Sequence, residues 1–216
     1  MISLTVWEIL AFLLPAARWT LLLSAIAFLG GGTAALVLLL LRYARPELGA
    51  RLVYFYIELL QGTPLLLQLF LVFFGLPLLG VDVSPLLAAG LALTLYAGAF
   101  LAEIWRGCVD AIPRGQWEAS AALGLNFLSQ MRDVILPQAL RIAVPPTVGF
   151  LVQLVKATAL SSIVGFNDLT RAGTIVTNAT FRPFLVYGLV ALIYFAMCYP
   201  LTLCARMLER KLGHSR

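Results

Sequence analysis

The chain has 216 residues, of which 62% are hydrophobic and 12% are charged, and its formal net charge is +5. Soluble domains are about 45–50% apolar and about 25% charged, so this composition excludes a soluble globular domain, a disordered chain and a disulfide scaffold. The three cysteines show no metal-binding spacing and are interpreted as small hydrophobic residues.

Five charge-poor runs are long enough to cross a bilayer. A hydrocarbon core of about 30 Å requires roughly 20 apolar residues in a helix, and lipid offers no partner to open backbone groups. Because the runs lack the alternation of strands, the sequence predicts an all-α integral membrane protein with five transmembrane helices. In chain order, the predicted spans are 19–41, 59–81, 83–105, 142–166 and 183–205.

Residues 1–18 precede the first span. They lack the basic start of a signal peptide and contain Glu8. We interpret them as an extracytoplasmic lead-in at the membrane interface that is stopped by Pro15. Within the spans, the run Gly30-Gly31-Gly32 and the pair Gly98–Ala102 predict close contacts between helices.

The positions of Lys and Arg predict the orientation of the chain. The connection between the first two spans, the loop 106–141 and the C-terminal end together hold 11 of the 15 basic residues. Five spans place all three segments on one side, which is predicted to be cytoplasmic. The N-terminus is then outside, and the tail 210–216 is inside. The positive charge is a topology signal and gives no indication of nucleic-acid binding.

The sequence lacks the motifs of the common catalytic classes. It has one histidine, His214, no HExxH motif and no paired carboxylates within an apolar run. It also lacks GxxxxGK[ST], so the chain itself is predicted to bind no ATP, no other cofactor and no metal. Acidic residues are almost absent from the spans, which argues against a proton-driven carrier. The energy for uphill transport is therefore expected to come from another subunit.

The loop 106–141 is the one sizeable segment expected to face water. A turn at Pro113 and Gly115 is followed by a predicted short helix over 116–123, and Gly124 suits the end of that helix. The spacing alone leaves two interpretations open. The loop is either a connector that lies on the membrane or a knob that a partner protein grips.

A second amphipathic piece is predicted over 126–139. Its apolar residues recur every four positions until Leu136-Pro137 is expected to break the pattern. The pair Pro145-Pro146 is expected to kink the beginning of the fourth span.

Several motifs in this chain resemble those of one family. Residues 118–124 (EASAALG), followed by Leu136-Pro137, are similar to the EAA loop of the permeases of ABC importers. Residues 58–66 (ELLQGTPLL) and 156–165 (KATALSSIVG) resemble segments of the polar amino acid branch of that family. The similarity covers nearly all of residues 19–209.

The chain also departs from the family pattern at two places. Gln61 stands where arginine is usual, and no role is carried over to its side chain. Asn167-Asp168 follows Gly165 where a glutamate is commoner.

The resemblance implies a type I ABC-importer permease fold in a bacterial cytoplasmic membrane. One such chain forms half of a pore, beside a second copy or a similar permease, and contacts lipid. Two cytoplasmic ATPase subunits carry ATP and magnesium, and an extracytoplasmic binding protein delivers an amino acid. Alternating access follows when the ATPases pull the two loops together. The residues implied in ATPase coupling are Glu118, Ala119, Gly124, Leu136 and Pro137.

Two of the coupling residues also have a simpler account. Glu118 is favourable at a helix start through the helix dipole, worth about 0.3–1 kcal/mol, without any further role. Gly124 is an ordinary helix end, a point of close approach for the ATPase, or both.

Lys156 is a charged residue inside a predicted span. Insertion scales place a central lysine at about +2.5–3.5 kcal/mol, so its side chain is expected to snorkel, to pair with a polar group, or to face the substrate pathway. Gln153 lies on the same helical face. Thr158 and Ser161 lie elsewhere on that helix and are interpreted as packing groups or as part of the pathway.

Glu58 and Glu103 lie near the cytoplasmic ends of the second and third spans. Each is predicted to form a structural ion pair with Arg106 or with another arginine of the loop. Two rival functions remain beside the permease, namely a passive channel or scaffold with a docking loop, and a membrane-embedded enzyme. An enzyme would require a cluster of catalytic polar residues, which the sequence does not show.

Overall fold

The computed structural model describes residues 4–45 and 47–213, and every regular element within them is helical. The α-helices are α1 (Val6–Ala44), α2 (Leu48–Gln61), α3 (Leu65–Leu78), α4 (Pro85–Asp110), α5 (Arg114–Ala122), α6 (Phe127–Ser129), α7 (Leu136–Ala157), α8 (Leu169–Thr180) and α9 (Pro183–Gly213). A π segment, Gln130–Ile135, precedes α7, and a 3-10 segment, Thr158–Val164, follows it. The predicted all-α fold is confirmed.

Four stretches of helix are long and apolar enough to cross a membrane, and a bent pair of helices supplies a fifth. The stretches are Val6–Ala44, Pro85–Asp110, Phe127–Val164 and Pro183–Leu212, and the pair is α2 with α3. Five spans are therefore present when the bent pair counts as one. The helices extend beyond the predicted spans because a charge-free run marks only the hydrocarbon core, whereas a helix continues into the headgroup region.

The first helix continues through Pro15, and the prediction that Pro15 stops the lead-in is wrong. A capping box starts the helix: the Glu8 backbone N–H donates to Thr5 Oγ1 at 3.3 Å, and the Thr5 backbone N–H donates to Glu8 Oε2 at 2.7 Å. An internal proline costs a helix about 3 kcal/mol. Burial of Ile9 and Leu13, which lie in the turns before Pro15, offsets that cost.

The first third of α1 is part of the folded bundle. Ile9 and Leu13 share a buried cluster with Leu169 of α8 and Val186 of α9. The Leu169 backbone N–H also donates to the buried Thr20 Oγ1 at 3.1 Å. These contacts fix α8 beside α1, at the end of the bundle where α1 begins.

The second span is bent near the start of the predicted run 59–81, where glycine, threonine and proline make an irregular start expected. The segment Gly62-Thr63-Pro64 interrupts it, and α2 and α3 meet at 99°. A break within a bilayer exposes backbone carbonyls that lipid cannot satisfy. The buried Gln68 amide nitrogen donates to the carbonyls of Leu60 at 2.7 Å and Thr63 at 3.1 Å, and so closes the break.

Helices α1 and α4 approach closely through glycine. A Cβ atom built on Gly31 would lie 2.5 Å from the Ala97 Cβ, and one on Gly98 would lie 3.1 Å from the Ala34 Cβ. The Tyr56 hydroxyl of α2 donates to the Leu95 carbonyl of α4 at 2.7 Å and ties the bent span to the same core. The predicted close contact at these glycines is confirmed.

The chain from Phe127 to Val164 forms one continuous stretch of helix, and a π segment changes to α7 at Leu136-Pro137, where the apolar pattern was expected to break. The π segment lies directly before Pro137, where a regular α-helix would collide with the proline ring. Pro145 and Pro146 both lie within α7. The 3-10 segment then ends at Gly165, whose φ of +87° favours glycine.

Candidate functional site

Helix α5 forms the predicted short helix of the loop, at 114–122. Gly124, with a φ of +77°, ends it in a Schellman motif. The Gly124 N–H donates to the Ala121 carbonyl at 2.9 Å, and the Leu125 N–H donates to the Ser120 carbonyl at 3.2 Å. A Cβ built on Gly124 meets no atom of the chain within 4 Å. The glycine is therefore required by its backbone conformation and not by crowding within the chain.

The outer surface of this region is exposed and partly apolar. Glu118 and Ala119 are exposed on α5, and Gly124 is exposed at its end. Leu123 is 81% exposed and Leu128 is 74% exposed. Exposed large apolar side chains beside a short helix are typical of a surface that contacts another protein.

A buried cluster holds α5 against the π segment. Ile112, directly before α5, packs with Met131 and Ile135, and Trp117 of α5 covers them. The Gln138 side-chain nitrogen reaches Gln116 Oε1 at 3.2 Å. Leu136 and Pro137 are exposed at the start of α7. The five predicted coupling residues thus lie on two elements that one buried cluster joins.

Aromatic contacts in this region were missed by the sequence reasoning. The rings of Trp117 and Phe127 lie 6.4 Å apart, and Tyr43 at the end of α1 lies 6.2 Å from Phe127. The aromatic residues at 43, 117 and 127 are too far apart in sequence for periodicity to connect them. They anchor the loop to the first span.

Of the ion pairs predicted for Glu103 and Glu58, the described residues form only the first. Arg106 pairs with Glu103 at 2.5 Å and with Asp110 at 2.6 Å, all on one face of α4. Asp110 was not anticipated, although it lies four residues after Arg106, the usual spacing of a helical ion pair. Glu58 is exposed at the end of α2, and the ion pair expected for it is not found within the described ranges.

Gln153 and Lys156 are exposed on the face of α7 that lines two adjoining cavities. One cavity of about 400 Å³ is bordered by both residues and by Glu209 of α9. The other, of about 680 Å³, is bordered by Lys156 and by Tyr194 of α9. Lys156 forms no ion pair with any part of the chain that the structure describes.

Thr158 and Ser161 do not line the cavities that Lys156 borders. Both are fully buried in the 3-10 segment. The Thr158 hydroxyl donates to the Val155 carbonyl at 2.8 Å, and the Ser161 hydroxyl donates to the Thr158 carbonyl at 2.6 Å. The structure therefore does not bring these hydroxyls together with Gln153 and Lys156.

A buried aspartate near these cavities was not singled out as a site residue. Asp168 is fully buried and caps α8, because its Oδ1 accepts the Arg171 backbone N–H at 2.8 Å. Its Oδ2 accepts the Tyr194 hydroxyl at 3.3 Å, and that hydroxyl also lies 3.0 Å from Thr170 Oγ1. The network fixes Tyr194 at the wall of the larger cavity.

Comparisons with known proteins agree with this geometry. The sequence matches the family described as "Binding-protein-dependent transport system inner membrane component" over residues 27–214. It is 33% identical to the probable amino-acid ABC transporter permease protein YckA of Bacillus subtilis, covering 96% of this chain and 92% of that protein. It is 32% identical to the glutamine transport system permease protein GlnP of Escherichia coli, covering 96% and 95%.

The fold is also shared with a solved amino acid ABC transporter whose crystal structure was determined with histidines. The TM-score is 0.91 at 30% identity, and the match covers 97% of this chain and all of that one. Agreement in sequence family, in relatives and in fold spans almost the whole chain. The chain therefore belongs to the family of binding-protein-dependent inner-membrane transport components, and it is a permease of the polar amino acid ABC importers with the type I fold.

Proposed function

We propose that this chain is one of two permease subunits of an importer driven by ATP hydrolysis, and that it moves a polar amino acid across the bacterial cytoplasmic membrane by alternating access. The observation that carries the proposal is α5, an exposed short helix that is followed by Gly124 and resembles the EAA loop. One buried cluster joins this helix to the π segment and to α7. Relatives named for glutamine, arginine and cystine transport support the substrate class.

The orientation follows from the end of the bundle at which the basic segments meet. Tyr43 at the end of α1 packs against the loop, and Leu212 near the end of α9 borders the same cavity as Ile112. The three arginine-rich segments therefore share one end of the bundle. We place that end in the cytoplasm, in accordance with the excess of Lys and Arg. Residues 1–18 are then proposed to be extracytoplasmic, 19–209 to form the transmembrane domain and 210–216 to form a cytoplasmic tail, of which 1–3 and 214–216 lie outside the described residues.

At the cytoplasmic end, we propose that the ATPase subunit receives α5. Leu123 and Leu128, which are exposed directly after α5, supply apolar contact, and Glu118, Ala119 and Gly124 lie on the outer surface. ATP and magnesium belong to the two ATPase subunits in this scheme. Leu136 and Pro137 would carry the movement into α7. A binding protein would dock at the opposite end.

The substrate pathway is proposed to follow the two cavities along α7 and α9. A lysine within a span is unfavourable toward lipid, so the face that bears Lys156, which borders both cavities together with Arg206, is expected to turn toward water and a second permease chain. Lys156 and Gln153 are available there to a carboxylate and to other polar groups of an amino acid. Thr158 and Ser161 are proposed to stabilise the wall from within.

Uptake by the intact complex tests the proposed function. The permease is co-purified with its ATPase subunits, reconstituted in vesicles, and supplied with the binding protein encoded beside it and a radiolabelled polar amino acid. We expect accumulation that requires ATP on the cytoplasmic side. Flux without ATP would instead indicate a passive channel.

Cysteine labelling is expected to place residue 114 in the cytoplasm. In a variant with the native cysteines replaced, Arg114→Cys is exposed at the start of α5. An impermeant maleimide should react with it in inverted vesicles but not in intact cells. The matched reporter at the other end is Asp82→Cys, which should show the opposite pattern. Labelling of position 114 in intact cells would reverse the proposed topology.

Replacement of Lys156 by methionine is expected to leave insertion and assembly intact, because the side chain makes no ion pair with the described residues and its stem is of similar size. Ligand-stimulated ATP hydrolysis should fall while basal hydrolysis persists. The measurement is ATPase activity of the reconstituted complex with and without loaded binding protein. Lys156→Arg serves as the control that retains the charge. Unchanged uptake by Lys156→Met would remove this residue from the pathway.

A further inference from the structure

The π segment is the connection between α5 and the span that borders the cavities. In it the Leu136 backbone N–H donates to the carbonyl of Met131, five residues earlier. Pro137 has no N–H, and its ring would collide with the Asp133 carbonyl in a regular α-helix. We attribute the wider π turn to this proline. Single π turns within α-helices are frequent at functional sites.

Helix α5 is attached to this turn by a buried cluster and by one polar side chain. Met131 and Ile135 of the π segment pack against Ile112. The Gln138 side-chain nitrogen donates to the Val134 carbonyl at 2.8 Å and to Gln116 Oε1 of α5 at 3.2 Å. Gln138 thus bonds to both elements at once.

The π segment also continues directly into α7, the helix that borders the two cavities of the candidate pathway. The stretch from Phe127 to Val164 is helical throughout, so a rotation at its start is passed along α7. Gln153 lies fifteen residues after Gln138, about 22 Å along the axis at 1.5 Å per residue. Exchange of a π turn for an α turn changes the count by one residue, which rotates the helix beyond it by roughly 100°.

We propose that the π segment and Gln138 form a joint that converts a displacement of α5 into a rotation of α7, and so moves Gln153 and Lys156. Gln138 is a positioning residue, since it acts through Gln116 and the Val134 carbonyl. The inference rests on the proposed function, in which α5 is the contact with the ATPase. To that function it adds the π segment as the element that passes a movement of α5 to α7 and so to the cavities.

A deletion within the π segment tests the joint. Deleting Asp133, whose side chain is 59% exposed, removes one residue from the π turn, so the residue that the joint would exchange is no longer present, whereas Asp133→Ala keeps the residue count. The reporter is Gln153→Cys in a chain whose three native cysteines are replaced by alanine. Its rate of reaction with a maleimide is measured in the reconstituted complex, without nucleotide and with ATP trapped by vanadate.

We expect the labelling rate to differ between the two nucleotide states in the Asp133→Ala complex, and this difference to be lost on deletion while the ATPase subunits still co-purify. A deletion complex that keeps the difference overturns the joint. A failure of the proposed function is distinguishable, because the Asp133→Ala complex itself would then show neither ATP-dependent uptake nor a nucleotide-dependent rate.

A second variant decides the question if the deletion prevents folding. Gln138→Leu removes both hydrogen bonds at nearly constant volume. We expect it to assemble and hydrolyse ATP but to lose most of the nucleotide-dependent change in labelling at position 153, and Gln116→Leu to add no further loss in the double variant. A full nucleotide-dependent change in Gln138→Leu overturns the role of this side chain.

Discussion

Replacing Gly124 with valine is expected to abolish uptake while the permease still inserts into the membrane. The φ of +77° at this position is strained for a β-branched residue, and the surface around it is the one proposed to meet the ATPase. No atom of the chain lies within 4 Å of the added Cβ, so the permease itself has room for the side chain. Stimulated ATP hydrolysis should be lost together with uptake.

Gly124→Asn separates the two causes of this defect. Asparagine tolerates the left-handed conformation, so it keeps the Schellman end while adding a side chain at the proposed contact. Uptake is normalised to the complex recovered by pull-down of the ATPase. Loss of uptake in both variants indicates steric conflict with the ATPase, and recovery with asparagine indicates strain at the helix end. A normal rate per complex in Gly124→Val would mean that the loop is only a connector.

Gly31→Ala is expected to give the largest loss of folded protein. The added Cβ would lie 2.5 Å from the Ala97 Cβ and 3.0 Å from the Ala97 backbone carbon, so α1 and α4 would have to separate. Overpacking of this kind costs about 1–3 kcal/mol or more, and it acts here at the most extensive helix contact of the bundle. The measurement is the monodisperse yield in detergent and the unfolding temperature.

The neighbouring glycine offers a matched control. A Cβ on Gly32 would lie 3.7 Å from the Trp105 ring, which is ordinary contact, so Gly32→Ala should be tolerated. Both substitutions gain the same helix propensity, about 1 kcal/mol, and only one of them creates a collision. Gly31→Ala combined with Ala97→Gly should recover part of the yield. Equal yields for Gly31→Ala and Gly32→Ala would contradict the close contact of α1 and α4.

Hydrophobic runs and motifs were sufficient to predict the fold class, the family and the helix α5. Pro15 was overinterpreted as a stop: it lies in a helix, as Pro137 does, because burial of Ile9 and Leu13 and a π turn offset the costs of these prolines. A proline costs a fixed local amount, whereas the packing that outweighs it involves distant residues. Local sequence cannot show which of the two is larger.

The candidate site was predictable only in part, for a related reason. Lys156 and Gln153 were found from charge and helical spacing, and the structure places both at the cavities. Thr158 and Ser161 were interpreted as packing groups or as part of the pathway, and the 3-10 segment buries both hydroxyls, which agrees with packing. Tyr194 donates a hydrogen bond to Asp168, which lies twenty-six residues away, and no periodic pattern connects the two.

Gln68, which closes the bend between α2 and α3, has opposite consequences for biogenesis and for the finished fold. During insertion by the translocon, a glutamine amide within an apolar segment opposes partition into lipid, because its polar atoms have no partner there. Once the chain is folded, the same amide satisfies the carbonyls of Leu60 and Thr63. A more hydrophobic residue at this position would thus ease entry into the bilayer and leave the broken helix without its donors. Hydrophobicity scales therefore rank substitutions at position 68 in the wrong order for the mature protein.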